Sequence, residues 1–225
     1  MPSKQIDLYI DYKSPYAYLA IEPAWELERD FDVSLSWLPY TLDIPDYLGD
    51  AKVDDQGNVL EESRTPHQWR RVRYSYMDAR RYANLRGLTI RGPKKIWDSS
   101  LSGIGLLYAK DQGVFRAYTD MVYERFWRRE LDIEDPTVIE AVLNEAGAET
   151  SGFRAFAEGE GRALHDRIRA EAEERGVFGV PTFVLDDEIF WGREHLALVR
   201  LRLDEQELAR PDAPDPLTIS HAWRP

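Results

Sequence analysis

The 225-residue chain has no cysteine. That absence excludes disulfide stapling, thiolate catalysis by the protein's own side chains and any cysteine-ligated metal site. Histidine is scarce too: His67, His165, His195 and His221 are scattered, none at a metal-ligand spacing from another, so no metal is expected. No apolar run approaches the ~18 residues needed to cross a bilayer. The first residues, Met1-Pro2-Ser3-Lys4, lead into a strand-like pattern without the apolar stretch of a secretory signal. A cytoplasmic protein with no membrane partner is the expectation. Positive charge is short as well. With 29 Lys+Arg against 41 Asp+Glu the net charge is −12, which argues against a nucleic-acid partner.

Hydrophobic residues make up 43% of the chain and aromatics 12%, enough for a globular protein with a sizeable core. The charge is unevenly spread. From Arg64 to Lys95 eight arginines and two lysines face the single acid Asp78, a balance of +9, so the remainder carries −21. A basic segment in an acidic protein suggests a local anion site or an inter-segment contact.

Ile6 to Ile10 alternates as a strand. Ser14 and Pro15 supply an N-cap and a first-turn proline for a helix from Tyr16 to Arg29, in which Pro23 is expected to make a kink. Val33 to Leu38 alternates again and Pro39 ends it. Thr41 to Ser63 reads as acidic loop with short turns. Helical spacing follows over Pro66–Arg86, Ser102–Ala109, Val114–Arg128, Pro136–Ala146 and Gly152–Arg175. Two short apolar runs around Asp186-Asp187 then read as a hairpin, and Glu194–Leu208 as a last helix. The order is β-α-β, a helical block, then β-β-α. The expected organisation is two α/β halves, residues 1–40 and 176–209, an all-helical insertion over 41–175 and a proline-rich tail over 210–225.

Three places carry chemistry. Ser14, between a strand end and a helix start, puts a hydroxyl beside unpaired N–H groups at the positive end of a helix dipole; such a site suits an anion, a bound thiolate included. As a bare N-cap it needs no function. Val180-Pro181 either enters an edge strand in the ordinary way or holds a cis bond that frees the Val180 backbone for a peptide-like ligand. Gly192-Arg193-Glu194 opens the final helix, either as a solvated start or as backbone donors for a carboxylate with Glu194 meeting an ammonium.

The runs Asp11-Tyr12-Lys13-Ser14-Pro15-Tyr16-Ala17-Tyr18-Leu19, Gly176-Val177-Phe178-Gly179-Val180-Pro181-Thr182-Phe183 and Phe190-Trp191-Gly192 together resemble the 2-hydroxychromene-2-carboxylate isomerase family. That family is close to kappa-class glutathione transferases within the DsbA-like branch of the thioredoxin superfamily. Tyr74 to Ala83 is similar to the family's inserted helix, as is Phe126-Trp127 followed by Asp132-Ile133, so the resemblance reaches to about Leu208. It implies an α/β thioredoxin fold with an all-helical domain inserted after the second strand. It also implies glutathione as cofactor, with its sulfur near Ser14 and its backbone paired to Val180 before a cis Pro181, and a homodimer. Ser14 and Ala17 stand where disulfide oxidoreductases carry their two cysteines. The family commonly has Asn-Asp-Arg where this chain has Arg193-Glu194-His195, a lysine at Tyr76 and Asn-Ser at Asp98-Ser99.

The reading that follows is a glutathione-dependent isomerase of an aromatic or unsaturated organic acid, the thiol being lent by the cofactor. Arg193 and Glu194 are expected at the cofactor. Arg80 or Arg81 would draw the substrate carboxylate, with Tyr76 and Trp97 as aromatic walls. Most of the arginines in that segment fit a solvated helix face. A kappa-type glutathione transferase or peroxidase is the alternative, and a non-catalytic peptide-binding module is a third reading.

Overall fold

A computed structural model describes residues 4–214. The elements run β1 (Lys4–Ile10), α1 (Pro15–Asp30), β2 (Val33–Pro39), α2 (Ile44–Leu48), β3 (Ala51–Val53), β4 (Val59–Glu62), α3 (Pro66–Leu85), α4 (Ser100–Asp111), α5 (Phe115–Arg128), α6 (Pro136–Glu145), α7 (Phe153–Glu158), α8 (Glu160–Glu174), β5 (Thr182–Leu185) and β6 (Glu188–Trp191). A 3-10 turn (Arg193–His195) leads into α9 (Leu196–Glu205). One sheet has the order β2-β1-β5-β6, with β1 parallel to β2 and antiparallel to β5, and β5 antiparallel to β6. Strands from both ends of the sequence therefore meet at β1: Leu8 lies opposite Trp37 on one side and Phe183 on the other. Ile6, Leu8, Tyr9 and Ile10 are all buried, so both faces of β1 are covered.

The helix starts follow from their capping residues. Ser14 accepts the Ala17 N–H at 3.2 Å ahead of Pro15. Thr65 and Gln68 form a reciprocal capping box at α3, and Asp135 caps α6 through the Thr137 N–H. Pro23 lies inside α1, which continues past it. The N–H that Pro23 lacks would have bonded the Leu19 carbonyl; that carbonyl instead accepts Arg86 at 2.6 Å, at the end of α3. The chain thus uses a gap in one helix to dock another.

The inserted segment is mainly helical and shares its core with the sheet. Tyr12 meets Thr119 of α5 at 3.0 Å, the Tyr123 hydroxyl donates to the Asp11 carbonyl at 3.2 Å, and Lys110 of α4 donates to the Trp37 carbonyl at 2.6 Å. Trp25 of α1, Trp37 of β2 and Phe115 of α5 pack with ring centroids 4.8–5.9 Å apart.

Three expectations are corrected. Residues 41–63, read as loop, form α2 and the β3–β4 hairpin, so the insertion is not wholly helical. The single helix expected over Gly152–Arg175 is broken at Gly159, whose φ and ψ of −115° and −105° separate α7 from α8. The last helix starts as a 3-10 turn and ends at Glu205. Of the tail, Arg210 is tied back to α1 through its N–H to the Asp30 carbonyl at 2.8 Å; residues 215–225, with His221, lie outside the described residues.

Candidate active site

Ser14 sits at the C-terminal end of β1, where the chain turns into α1. It is 5% exposed, and its hydroxyl both caps the Ala17 N–H and points at the Val180 carbonyl 3.5 Å away. The Val180–Pro181 bond is cis. The Pro181 carbonyl accepts the Gly192 N–H at 2.8 Å, while the Val180 N–H has no hydrogen bond among the described residues. Pro15 contributes no N–H, so the Tyr16 N–H is the first-turn donor of α1 without an intrahelical acceptor. A buried hydroxyl, a helix N-terminus and an unpaired strand-like backbone thus converge on one corner.

Two glycines shape its far edge. A Cβ on Gly179 would lie 2.5 Å from Trp191 Nε1, so only glycine lets that indole lie across the loop leading to Pro181. Gly192 has φ +105°, and the Glu194 carboxylate folds back to within 2.6 Å of where its Cβ would be. Glu194 itself is exposed and makes no hydrogen bond or ion pair among the described residues. Arg193 turns the other way: it is 8% exposed, with its guanidinium 3.7 Å from the Tyr82 ring centroid and its Nε without a partner. Its side chain thus braces α3 and also acts on the Tyr16 phenol in the first turn of α1.

α3 crosses the N-terminal end of α1. The Tyr16 hydroxyl donates to Asp78 Oδ2 at 3.1 Å and to the Ser75 carbonyl at 3.3 Å. Burial, reinforced by the Asp78 charge, pushes the Tyr16 phenol well above its ordinary value, so it stays neutral. Further along, Tyr76 and Trp97 are half-buried at the two ends of one aromatic row. Tyr76 lies 6.3 Å from Trp127, Trp127 5.2 Å from Phe126, and Phe126 6.1 Å from Trp97. Burial pushes the Tyr76 phenol up to about 12 against the opposing charges of Arg64, Arg80 and Arg129. Tyr47 of α2 is also pushed up to about 12 by burial, with Asp11, Tyr40 and Asp43 adding to it.

The two arginines expected at the substrate part company. Arg80 lies over Tyr76 at 5.7 Å and donates to the Ile90 carbonyl at 3.0 Å. Arg81 points to Asp78 at 3.7 Å and to the Met77 sulfur, and no contact joins it to Tyr76 or Trp97. Other cations of the basic segment hold backbone carbonyls: Arg64 those of Leu48 and Gly49, Arg86 that of Leu19. Of these, Arg86 docks the insertion on α1, while Arg64 and Arg80 tie parts of the insertion to one another.

Sequence reasoning missed Lys13. Its side chain is 5% exposed beside Ser14, 3.7 Å from the fully buried Asp11 carboxylate and 3.0 Å from the Trp97 carbonyl. The signal was available: a cation two residues after an acid, between a strand end and a helix cap. Among the described residues no group of three or more His, Asp or Glu side chains is placed to hold a metal ion, and no helix is long and apolar enough to cross a membrane.

The sequence profile of the DSBA-like thioredoxin domain matches residues 5–204, and the chain belongs to that family. It differs from a dithiol oxidoreductase in having no cysteine with which to exchange disulfides. It is 28% identical over 195 residues to the 2-hydroxychromene-2-carboxylate isomerase of Sphingobium xenophagum, covering 86% of this chain and 95% of that protein. To the enzyme of the same name from Pseudomonas putida it is 27% identical over 196 residues, covering 86% and 91%. A solved structure of 2-hydroxychromene-2-carboxylate isomerase superposes with a TM-score of 0.68 at 24% identity, covering 90% of this chain and 95% of that one.

Proposed function

We propose that the protein is an isomerase of an unsaturated aromatic acid of the 2-hydroxychromene-2-carboxylate type, with glutathione held at the Ser14–Val180 corner. Relatives matched over most of their length bear the name of that isomerase, which supports an enzyme with an isomerase role. The observation that carries the glutathione reading is the corner itself: a buried serine hydroxyl at a helix N-terminus, in a chain with no thiol of its own.

The residues present fit the tripeptide. The free Val180 N–H and its carbonyl suit a peptide backbone, the unpartnered Glu194 carboxylate suits an ammonium, and Ser14 with the α1 N-terminus suits an anionic sulfur. Glutathione, when bound, supplies a soft nucleophile that can add reversibly to a conjugated carbon. The chain's own contribution is orientation and electrostatics. Ser14 donates a hydrogen bond toward negative charge that the α1 dipole also favours. Tyr76 and Trp97 offer flat surface to an aromatic ring, with Arg80 over the first ring at 5.7 Å and Lys95 over the second at 4.3 Å. Arg80, beside Tyr76, is the better placed of the two expected arginines for a carboxylate.

The test is direct. The purified protein is given 2-hydroxychromene-2-carboxylate with and without glutathione, and the ultraviolet spectrum is followed. Conversion that requires glutathione and leaves it unconsumed supports the isomerase. Stoichiometric loss of glutathione thiol on an electrophile would favour the transferase reading instead. No conversion, together with no rise in melting temperature at millimolar glutathione, would leave a peptide-binding module.

A further inference from the structure

Lys13 has no part in the corner described above, yet it is the least exposed lysine of its surroundings and stands directly before Ser14. Its ammonium is shared. Asp11 Oδ2 lies 3.7 Å away, and the Trp97 carbonyl accepts from it at 3.0 Å. Asp11 is occupied in turn: Oδ1 takes the Lys13 N–H at 3.0 Å and Oδ2 the Leu42 N–H at 2.8 Å, while its backbone carbonyl takes the Ser14 N–H at 3.0 Å. A second carboxylate, Asp98, stands one residue beyond Trp97. Burial acts to raise its pKa, but the Ser100 N–H at 2.9 Å and the charges of Lys13 and Arg162 together hold it below its ordinary value. The buried lysine therefore joins the Asp11 carboxylate to the Trp97 carbonyl, one residue before the exposed Asp98, at the meeting of the Ser14 turn and the aromatic wall.

We propose that Lys13 is a positioning residue that sets substrate specificity: it ties the Trp97–Asp98 segment to the Ser14 turn and offsets Asp11 and Asp98, keeping the cleft receptive to an anionic acid. The inference rests on the substrate class proposed above. By formal charge Asp11, Lys13 and Asp98 sum to −1, and replacing the lysine by a neutral residue makes that sum −2 beside the Ser14 turn. A simple strut would hold Trp97 for any substrate. A charge offset discriminates between an anion and its neutral analogue, because only the anion feels the exposed carboxylates.

The experiment compares Lys13→Met, Asp98→Asn and the double variant, each assayed with 2-hydroxychromene-2-carboxylate and with its neutral methyl ester. Lys13→Met should raise KM for the acid about tenfold, the scale of one unscreened charge near an anion site, and change KM for the ester by less than about twofold. Asp98→Asn in the same chain should recover most of the loss. If Lys13→Met does not fold, Asp98→Asn alone carries the test, by lowering KM for the acid and leaving the ester unchanged. Equal shifts for acid and ester, or no relief from Asp98→Asn, would reduce Lys13 to a strut and overturn the inference. Calorimetry of glutathione binding to the native protein separates the two levels. No binding would sink the glutathione reading, and no turnover of either substrate would remove the substrate class and this inference with it. Binding and turnover with indifferent Lys13 variants would sink this inference alone.

Discussion

Ser14 and Val180 are 166 positions apart in the chain, yet the serine hydroxyl lies 3.5 Å from the valine carbonyl. The first half of the fold supplies a donor at a helix end and the second supplies an unpaired backbone edge, so the corner exists only when both halves are in place.

Ser14→Ala removes the cap on the Ala17 N–H and should cost about 1 kcal/mol, or a fall of roughly 2–4 °C in Tm for a chain of this size. If Ser14 serves a bound thiolate, the same change should move the ultraviolet thiolate titration of bound glutathione to higher pH. An unmoved titration with the expected small loss in Tm would leave Ser14 as a helix cap only.

Glu194→Gln tests the outer edge of the corner. The carboxylate is exposed and unpartnered among the described residues, so its removal should leave Tm within about 1 °C, as for most surface changes. Glutathione should bind more weakly by calorimetry, and the desamino analogue should bind as before. Equal weakening of both would mean that Glu194 acts on the 3-10 turn and not on an ammonium.

Gly105→Ala addresses the insertion. A Cβ there would lie 2.2 Å from the Tyr118 hydroxyl, which is fully buried and donates to the Ser102 carbonyl at 2.9 Å. Neither group has room to retreat, so α4 and α5 must part. The expected cost is about 1–3 kcal/mol, read as a fall of roughly 3–10 °C in Tm.

His165 is buried, with Thr41 Oγ1 2.9 Å from Nε2 and Asp166 Oδ1 3.1 Å from Nδ1. Burial lowers its pKa despite the hydrogen bond to Asp166. A histidine neutral in the fold and protonated in the unfolded chain gives stability that is present above pH ~6.5 and lost as pH falls below it. The Tm difference between the native protein and His165→Gln should therefore narrow between about pH 7.5 and pH 5. Parallel curves would mean that the folded protein protonates His165 as readily as the unfolded one.

The elements that frame the corner were legible because their signals are local. Alternation in Ile6 to Ile10, the Ser14-Pro15 cap and the paired apolar runs around Asp186 each specify their element within a few residues. The β3–β4 hairpin was not, since every residue of Val59–Glu62 is exposed and a strand without a buried face has no two-residue period. The break at Gly159 was hidden inside a continuous helical pattern for the opposite reason: the apolar stripe runs through it. Lys13 escaped because its burial depends on Trp97, 84 positions away, and Arg80 and Arg81 could not be told apart until Ile90 and Asp78 were placed beside them.

The sheet order has a consequence for synthesis. β1 pairs with β2 early, but its other edge is completed only by β5, after the whole insertion has been made. At ~5–20 residues per second, the stretch between Pro39 and Thr182 takes roughly 7–30 s to emerge from the ribosome. During that interval Asp7, Leu8 and Tyr9 lie on an open strand edge, the kind of surface on which nascent chains stick to one another. The insertion's helices, built from near neighbours, can form while that edge waits, and the last strands then close the sheet and the Ser14 corner together.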